Sequence, residues 1–381
     1  MQYIARSLSL PNLLKLKSTF LFGPRAVGKT TLIHHQLPEA RVYDLLDHRT
    51  FSRLIREPHL LEEENVNPNS PIVIDEIQKL PLLLNEVHRL IARYDWKFLL
   101  TGSSARKLKR GAANLLAGRA RMAQLLPLTY AEIPDFDLVR YLNRGGLPPV
   151  FFSEDPSEEL QSYVALYLQE EIQAESATRN LPAFAAFLDA IAVSNGEEIN
   201  LESFARDCGV SPMTVKNYIQ ILEDTLIGFS LKGFTKTKKR KATARIKHYL
   251  FDVGVVNTLC RRGEIKPKSE LFGKAFEQFI VQELRAYLSY SRTHQPLTYW
   301  RSTSHLEIDV LIGQSLALEI KATSQVSESH LKGLRALKEE GLIKAFAVVS
   351  LDDNLRITRD SITIYPWQVF LTKLWKGELD V

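Results

Sequence analysis

Apolar residues along the chain switch repeatedly between strand-like and helix-like spacing. Thr19-Phe20-Leu21-Phe22 reads as a short buried strand, followed by the turn GPRAVGKT (Gly23 to Thr30) and a helix through TLIHHQL. PIVIDEIQ (Pro71 to Gln78) is a β-branched apolar run with the character of a central parallel strand, and WKFLLTGSS (Trp96 to Ser104) is a third strand. The dipeptides Gly145-Gly146 and Pro148-Pro149 then mark a loop and a domain edge. Helical periodicity is expected over 157–175 and 183–193. Two short helices follow: one has Leu201, Phe204 and Ala205 on its apolar face, the other Val215, Tyr218, Ile219 and Leu222. Gly209-Val210-Ser211 turns between them, with Ser211 as N-cap and Pro212 at the first helical position.

The last third predicts a helix over 271–289 with Phe272, Phe276, Phe279, Ile280 and Leu284 on its apolar side. Strands follow at LTYWR, LEIDVLI and SLALEIKAT, then a helix near 328–340 and the strand IKAFAVVS. If the second and third strands pair through Gly313-Gln314-Ser315, residue 309 lies opposite 319 and 307 opposite 321. Asp309, Glu319 and Lys321 then share one face, while Ile308, Val310, Ile312, Leu316, Leu318 and Ile320 form the core face. The expected class is α/β in three parts: 1–145, 146–255 with a helix-turn-helix and two following strands, and 256–381 with the order αβββαβ.

A length of 381 residues, 45% hydrophobic and 24% charged, excludes a disordered or fibrous chain. No run approaches the roughly 20 apolar residues of a membrane span, so no membrane partner is expected. Cys208 and Cys260 form no CxxC pair, which suits reduced thiols in the cytoplasm. The net charge of +5 is modest, but basic residues cluster: Lys232, Lys236, Lys238, Lys239, Arg240, Lys241, Arg245 and Lys247 form one block without acids. Arg106, Lys107, Lys109, Arg110, Arg119 and Arg121 form another.

Strand, glycine-spaced turn, lysine, threonine and helix make the order of a P-loop, whose backbone N–H groups and helix N-terminus receive phosphate. Gly23, Pro24, Arg25, Ala26, Val27, Gly28, Lys29, Thr30 and Thr31 are the expected nucleotide-binding residues. Lys29 would reach the β- and γ-phosphates, and Thr30 and Asp75 would hold Mg²⁺. Glu76 would orient and deprotonate the attacking water, favouring hydrolysis over binding alone. Thr101 and Ser103 are placed to bond the γ-phosphate or that water, and Arg119 to stabilise the transferring phosphoryl group in cis or from a neighbouring subunit.

The helix-turn-helix with its basic flank resembles a winged helix. As a DNA-binding unit it would expose Thr214, Lys216 and Asn217 and neutralise phosphates with its lysines; the alternative is a spacer between two other domains. In the last third Asp309 and Glu319 would bind Mg²⁺, Lys321 would position or help deprotonate a water, and Glu277 would complete the acidic site for phosphodiester attack.

The segments GPRAVGKTTL, IVIDEIQ, LLTGSS, LLAGRA, LPLTYAEI, FDVGVVNTL, FGKAFEQFIVQEL, EIDVLI and ALEIKAT together resemble a prokaryotic family of AAA-like ATP-binding proteins. The C-terminal half of that family is a domain of unknown function with a PD-(D/E)XK nuclease-like fold. The resemblance implies ATP and Mg²⁺ at Gly23 to Thr31 with Asp75 and Glu76, and a sensor-like role around Thr101 to Ser103. It likewise implies a finger-type arginine at Arg119 and nuclease-like positions at Glu277, Asp309, Glu319 and Lys321. Two functions are then expected to compete. One is an ATPase that couples nucleotide state to DNA binding and metal-dependent cleavage, with a homo-oligomer among its assemblies. The other is a nucleotide-dependent switch that docks DNA or protein through a silent nuclease-like domain.

Overall fold

The computed structural model describes residues 3–65, 67, 70–104, 116, 118–168 and 180–381. Arg106, Lys107, Lys109 and Arg110 of the second basic block, and the helix expected beyond 168, lie outside those residues.

Strands β1 (Ser18–Phe22), β2 (Arg41–Asp44), β3 (Ile72–Asp75), β4 (Phe98–Gly102) and β5 (Ala120–Gln124) form an all-parallel sheet in the order β2-β3-β4-β1-β5. β1, β3 and β4 are buried along their whole length, as interior parallel strands covered on both faces must be. Helices Lys29–Gln36 and Leu83–Tyr94 belong to its flanking layers. The helix-turn-helix is present as Leu201–Asp207 and Pro212–Asp224, capped by Asn200 and by Ser211, whose hydroxyl accepts the Thr214 N–H.

The hairpin after it departs from expectation. β6 (Gly228–Gly233) and β7 (Ile246–Leu250) pair antiparallel, and β6 also pairs with β8 (Leu297–Arg301), which makes the hairpin one edge of the C-terminal sheet rather than a free wing. With β9 (Glu307–Ile312), β10 (Leu316–Lys321), β11 (Ala345–Ser350), β12 (Arg356–Ile357) and β13 (Thr363–Pro366), the sheet has eight strands in the order β12-β13-β11-β10-β9-β8-β6-β7. The order helix Glu270–Tyr290, β8, β9, β10, helix Lys332–Lys338, β11 matches the expected one.

The β9–β10 register is the expected one where the strands pair: Leu316 faces Ile312, Ala317 faces Leu311 and Leu318 faces Val310. Beyond Val310 the ladder stops. The Asp309 carboxylate inserts there and takes the Ile320 N–H at 2.8 Å, while Glu319, Ile320 and Lys321 go on pairing with Val348, Val349 and Ser350 of β11. The expected pairs 309/319 and 307/321 therefore do not form as ladder rungs. A register shift between β8 and β9, from Thr298 opposite Leu311 to Trp300 opposite Ile308, switches the face of Ile308, which packs with Trp300, Leu334 and Leu337 instead of with Val310 and Leu318.

Two apolar clusters run across the expected boundaries. Val27, Leu32 and Ile33 of the nucleotide part share a core with Phe187, Ile191, Leu222 and Phe251. Tyr141 and Phe151 share another with Phe276, Phe279 and Val310. Among the described residues no helix is long and apolar enough to cross a membrane.

The Gly145-Gly146 dipeptide is a close crossing rather than a linker. Gly145 has φ +76°, and a Cβ there would meet Asp252 Oδ1 at 2.0 Å. Asp252 accepts the N–H groups of Gly146 at 2.7 Å, Gly254 at 2.8 Å and Val255 at 3.2 Å. Burial pushes its carboxyl up to about 6 against the pull of those bonds.

Phe279 is fully buried and stacks against Phe136 at 5.4 Å. Phe279→Ala is expected to cost about 3–5 kcal/mol, read as a lower urea midpoint by the fluorescence of Trp367, which lies 6.1 Å from it.

Candidate functional site

β1 delivers the chain into the turn at Gly23, where a Cβ would meet the Leu125 carbonyl at 2.4 Å, so glycine is required on steric grounds alone. The turn closes at Gly28, which has φ +93° and caps the helix Lys29–Gln36. The Lys29 ammonium is buried and donates to the Gly23 carbonyl at 2.6 Å and the Pro24 carbonyl at 3.1 Å, which holds the charge over the centre of the loop.

β3 ends in Asp75 beside the helix start, and the Thr30 hydroxyl donates to Asp75 Oδ2 at 3.2 Å. A hydroxyl and a carboxylate at this separation are hard oxygen donors of the kind Mg²⁺ takes. Thr101 is fully buried and donates to Asp75 Oδ1, and it also accepts the Glu76 N–H at 3.2 Å. It therefore orients Asp75 and Glu76 rather than facing a phosphate. Glu76 sits at φ +59°, a left-handed conformation that turns its side chain out of the strand direction. Gln78 is the residue that sequence reasoning passed over: its Nε2 donates to Glu76 Oε2 and reaches Ser103 Oγ at 3.5 Å. Gly102 makes room for it, since a Cβ there would lie 2.4 Å from Gln78 Oε1. The signal was present in the spacing IVIDEIQ…TGSS, but only the fold brings the two segments together.

Arg119 is exposed and lies at the far end of the sheet. In the β1–β5 register Phe22 faces Gln124 and Ser18 faces Ala120, and Lys17 Nζ donates to the Gly118 carbonyl at 2.6 Å. Five residues at about 3.3 Å each put Arg119 roughly 16 Å from the P-loop end of the strand, farther than its side chain spans.

A cleft of about 350 Å³ opens beside Gly28 and Thr31, with Tyr3, His35, Pro148 and Phe152 among its walls. The Tyr3 and His35 rings stack at 3.7 Å. Behind it Arg6 donates to the Val27 carbonyl at 2.7 Å and pairs with Glu132 at 3.0 Å, both side chains almost wholly buried. Glu132 also accepts the N–H groups of Ser7 at 2.7 Å and Thr129 at 3.0 Å. One residue on from Thr129, the Tyr130 N–H donates to Glu283 on the helix Glu270–Tyr290, and Trp375 Nε1 donates to the other oxygen at 2.7 Å. The segment 126–132 is thus pinned to the P-loop on one side and to the C-terminal part on the other.

That long helix also carries Glu277 towards β9 and β10. Lys321 Nζ lies 2.7 Å from Glu319 Oε1 and 3.5 Å from Asp309 Oδ2. Burial, with Asp309 nearby, pushes the Glu319 carboxyl up to about 8, and its Oε2 is buried with no hydrogen-bond partner. Burial opposes the Lys321 charge, but Asp309 and Glu319 outweigh it and raise its pKa. An orphaned carboxylate oxygen beside a second carboxylate is a fitting donor set for a divalent cation. Among the described residues, however, no three His, Cys, Asp or Glu side chains converge as one ligand group.

Glu277 is turned elsewhere: it accepts the Tyr249 hydroxyl at 2.7 Å and faces Lys247 Nζ at 3.8 Å. Burial raises its carboxyl as well. Lys247, expected among the phosphate-neutralising lysines, is buried instead and lies 2.5 Å from Glu307 Oε1. The rest of that block behaves as expected only in part. The backbone N–H groups of Lys238, Lys239 and Arg240 dock on Glu340 at 2.8–3.0 Å, and Arg240 pairs with Glu339 at 2.6 Å. Lys236, Lys238, Lys239, Lys241 and Arg245 are exposed, as are Lys216 and Asn217 on the helix-turn-helix, while Thr214 is half-buried.

Comparison with known proteins agrees with the first of these sites. Residues 15–134 match an AAA domain, 135–266 a domain of unknown function (DUF8612) and 272–370 another (DUF4143). An uncharacterized protein of Mycobacterium tuberculosis is 26% identical over 365 residues, covering 92% of this chain and 80% of that one. An uncharacterized protein of Methanocaldococcus jannaschii is 23% identical over 310 residues, covering 72% and 67%. Among solved structures, Drosophila ORC bound to AT-rich DNA and Cdc6 aligns at 10% identity over 65% of this chain and 86% of that one, with a TM-score of 0.24. The AAA match and the all-parallel sheet identify residues 15–134 as a P-loop AAA-like domain, a type that binds nucleotide.

Glu283 gives a pH test of the 126–132 junction. Burial raises its carboxyl from 4.5 to about 8. Between those values the folded chain holds a proton that the unfolded chain has released, so stability falls as pH rises from about 5 to about 8. In Glu283→Gln that decline is expected to be shallower than in wild type, measured as urea midpoints across the range, even though the amide leaves one of the two donors unpaired.

Proposed function

We propose that the chain binds and hydrolyses ATP at its P-loop and uses the nucleotide state to control Mg²⁺-dependent phosphodiester cleavage of DNA at Asp309, Glu319 and Lys321. The three parts of this machine are 1–145, 146–255 and 256–381. The observation that carries the ATP half is the contact between Thr30 and Asp75, extended through Thr101, Glu76 and Gln78 to Ser103. Mg²⁺, when bound, would neutralise phosphate charge there, with Thr30 and Asp75 as its holders. Lys29 leaves the loop carbonyls for the phosphates, and Glu76 receives the proton of the attacking water while Gln78 fixes its direction. The cleft lined by Tyr3 and His35 would receive the base, and Arg119 would serve a neighbouring copy.

The cleavage half is supported by the splayed β9 and β10, which leave Asp309 and Glu319 at the end of the ladder with one oxygen unsatisfied. Exposed Lys236, Lys238, Lys239, Lys241 and Arg245, on the loop between β6 and β7, would supply phosphate contacts. Coupling would run from Val27 through Arg6 and Glu132 to Glu283, six residues along the helix from Glu277. A second reading, a switch that docks DNA or protein through a silent C-terminal domain, is favoured by Lys321 sitting on both carboxylates.

Lys29→Ala is expected to abolish binding of a fluorescent ATP analogue, read by anisotropy. Glu76→Gln is expected to keep binding and lose hydrolysis by about 10²–10⁴-fold; unchanged turnover would remove Glu76 from the reaction. Labelled DNA incubated with Mg²⁺ or Mn²⁺, with and without ATP, is expected to be cut by wild type and left intact by Glu319→Ala. Intact linear, single-stranded and branched substrates in every condition would select the switch.

A further inference from the structure

The acidic cluster at the C-terminal site is divided between two lysines, and the division is unequal. Lys321 comes from β10 and sits on Asp309 and Glu319. Lys247 comes from β7, two strands beyond β8 in the sheet order and outside the matched C-terminal domain, and sits between Glu307 and Glu277. Its side chain is 5% exposed, against 33% for Lys321. Its ammonium also lies 5.3 Å from the centre of the Tyr299 ring, so an apolar face closes the remaining side. A buried ammonium with two carboxylates and an aromatic face around it is a fixed internal cation. Lys321, a third exposed, can be displaced towards solvent.

The oxygen atoms divide in the same way. Glu277 Oε1 is engaged by Tyr249 and Lys247, and Glu307 by Lys247 and by Arg301, 3.6 Å away. At the other pair, Glu319 Oε2 is buried and has no partner. Counted as ionised, as they would be with a cation bound, the four carboxylates (Glu277, Glu307, Asp309, Glu319) against Lys247, Lys321 and Arg301 leave one negative charge. One divalent cation already covers that charge, and a second would leave the cluster strongly positive.

We propose that Lys247 stands in the place of a second metal ion, so that the C-terminal site takes one divalent cation, at Asp309 and Glu319, with Glu277 and Glu307 held as its neutralised wall. The proposal rests on the reading of this site as a divalent-cation site, and it makes Lys247 a positioning residue supplied by the hairpin that follows the helix-turn-helix. The basic loop that would contact DNA and the lysine that sets metal stoichiometry then belong to one hairpin.

The test is Mn²⁺ titration of the nucleotide-free full chain, with free Mn²⁺ read by electron paramagnetic resonance and Asp75→Asn present in every sample to silence the P-loop. The parent is expected to bind about one Mn²⁺ per chain, and adding Asp309→Asn to weaken that binding by more than about tenfold. Adding Lys247→Met is expected to raise the number bound to about two, because Glu277 and Glu307 lose their internal cation. Lys247→Arg, which restores the charge, and the charge-balanced pair Lys247→Met with Glu277→Gln are expected to return it to about one. Two ions in the parent, or one in Lys247→Met with unchanged affinity, would overturn the role of Lys247. Binding unaffected by Asp309→Asn would instead overturn the cation reading of the site itself. Should Lys247→Met fail to fold, Lys247→Gln, which removes the charge and keeps a polar group between Glu307 and Glu277, is titrated in its place with the same expectation of about two ions, and one ion there with unchanged affinity would overturn the role of Lys247.

Discussion

Three buried carboxyl groups, each accepting a backbone N–H from a remote segment, hold the molecule together. Asp252 binds Gly146, Glu132 binds Ser7 and Thr129, and Glu283 binds Tyr130. All three act on the stretch between 126 and 146 or originate in it. A buried carboxyl group without donors carries an unmet desolvation cost, whereas one that accepts two or three N–H bonds fixes the chain that provides them. The stretch is therefore not a linker between independent bodies. It is a rigid strip with the P-loop on one edge, through Arg6 and Val27, and the long C-terminal helix on the other.

That arrangement explains what the sequence revealed and what it withheld. The P-loop turn of the candidate nucleotide site was legible because its pattern is local: Gly23 to Thr31 is one turn running into a helix, and Asp75-Glu76 is one strand end. The β9–β10 register was legible because alternation and a three-residue loop determine it, and Leu316 does face Ile312. The end of that ladder was not, since it depends on the Asp309 side chain competing for the Ile320 N–H, which periodicity does not encode. Gly145-Gly146 looked like punctuation because glycines in turns and glycines under a close approach have the same letter; only Asp252, more than a hundred residues away, separates the cases.

Lys247 shows the same limit in charge. In the sequence it is the last member of an acid-free basic block, and a solvated surface is the reasonable reading of such a block. β7 is buried on both faces from Lys247 to Leu250, and the ammonium meets Glu307 and Glu277, which arrive from another strand and from the long C-terminal helix. Gln78 is the polar counterpart, invisible until Gly102 lets its amide lie against the neighbouring strand.

The place of β6 and β7 at the edge of the C-terminal sheet also sets an order of events during synthesis. The parallel sheet has all its strands once Gln124 has left the ribosome, and the helix-turn-helix is complete by Asp224. The hairpin must wait for β8, whose first residue comes nearly fifty positions after Leu250. At about 5–20 residues per second the nascent chain carries an unpaired strand edge, with Phe229 and Leu231 beside it, for several seconds. A ribosome stalled in this interval would hold the completed parallel sheet attached to an adhesive edge, which makes synthesis between 250 and 297 a period of exposure to aggregation and to chaperones.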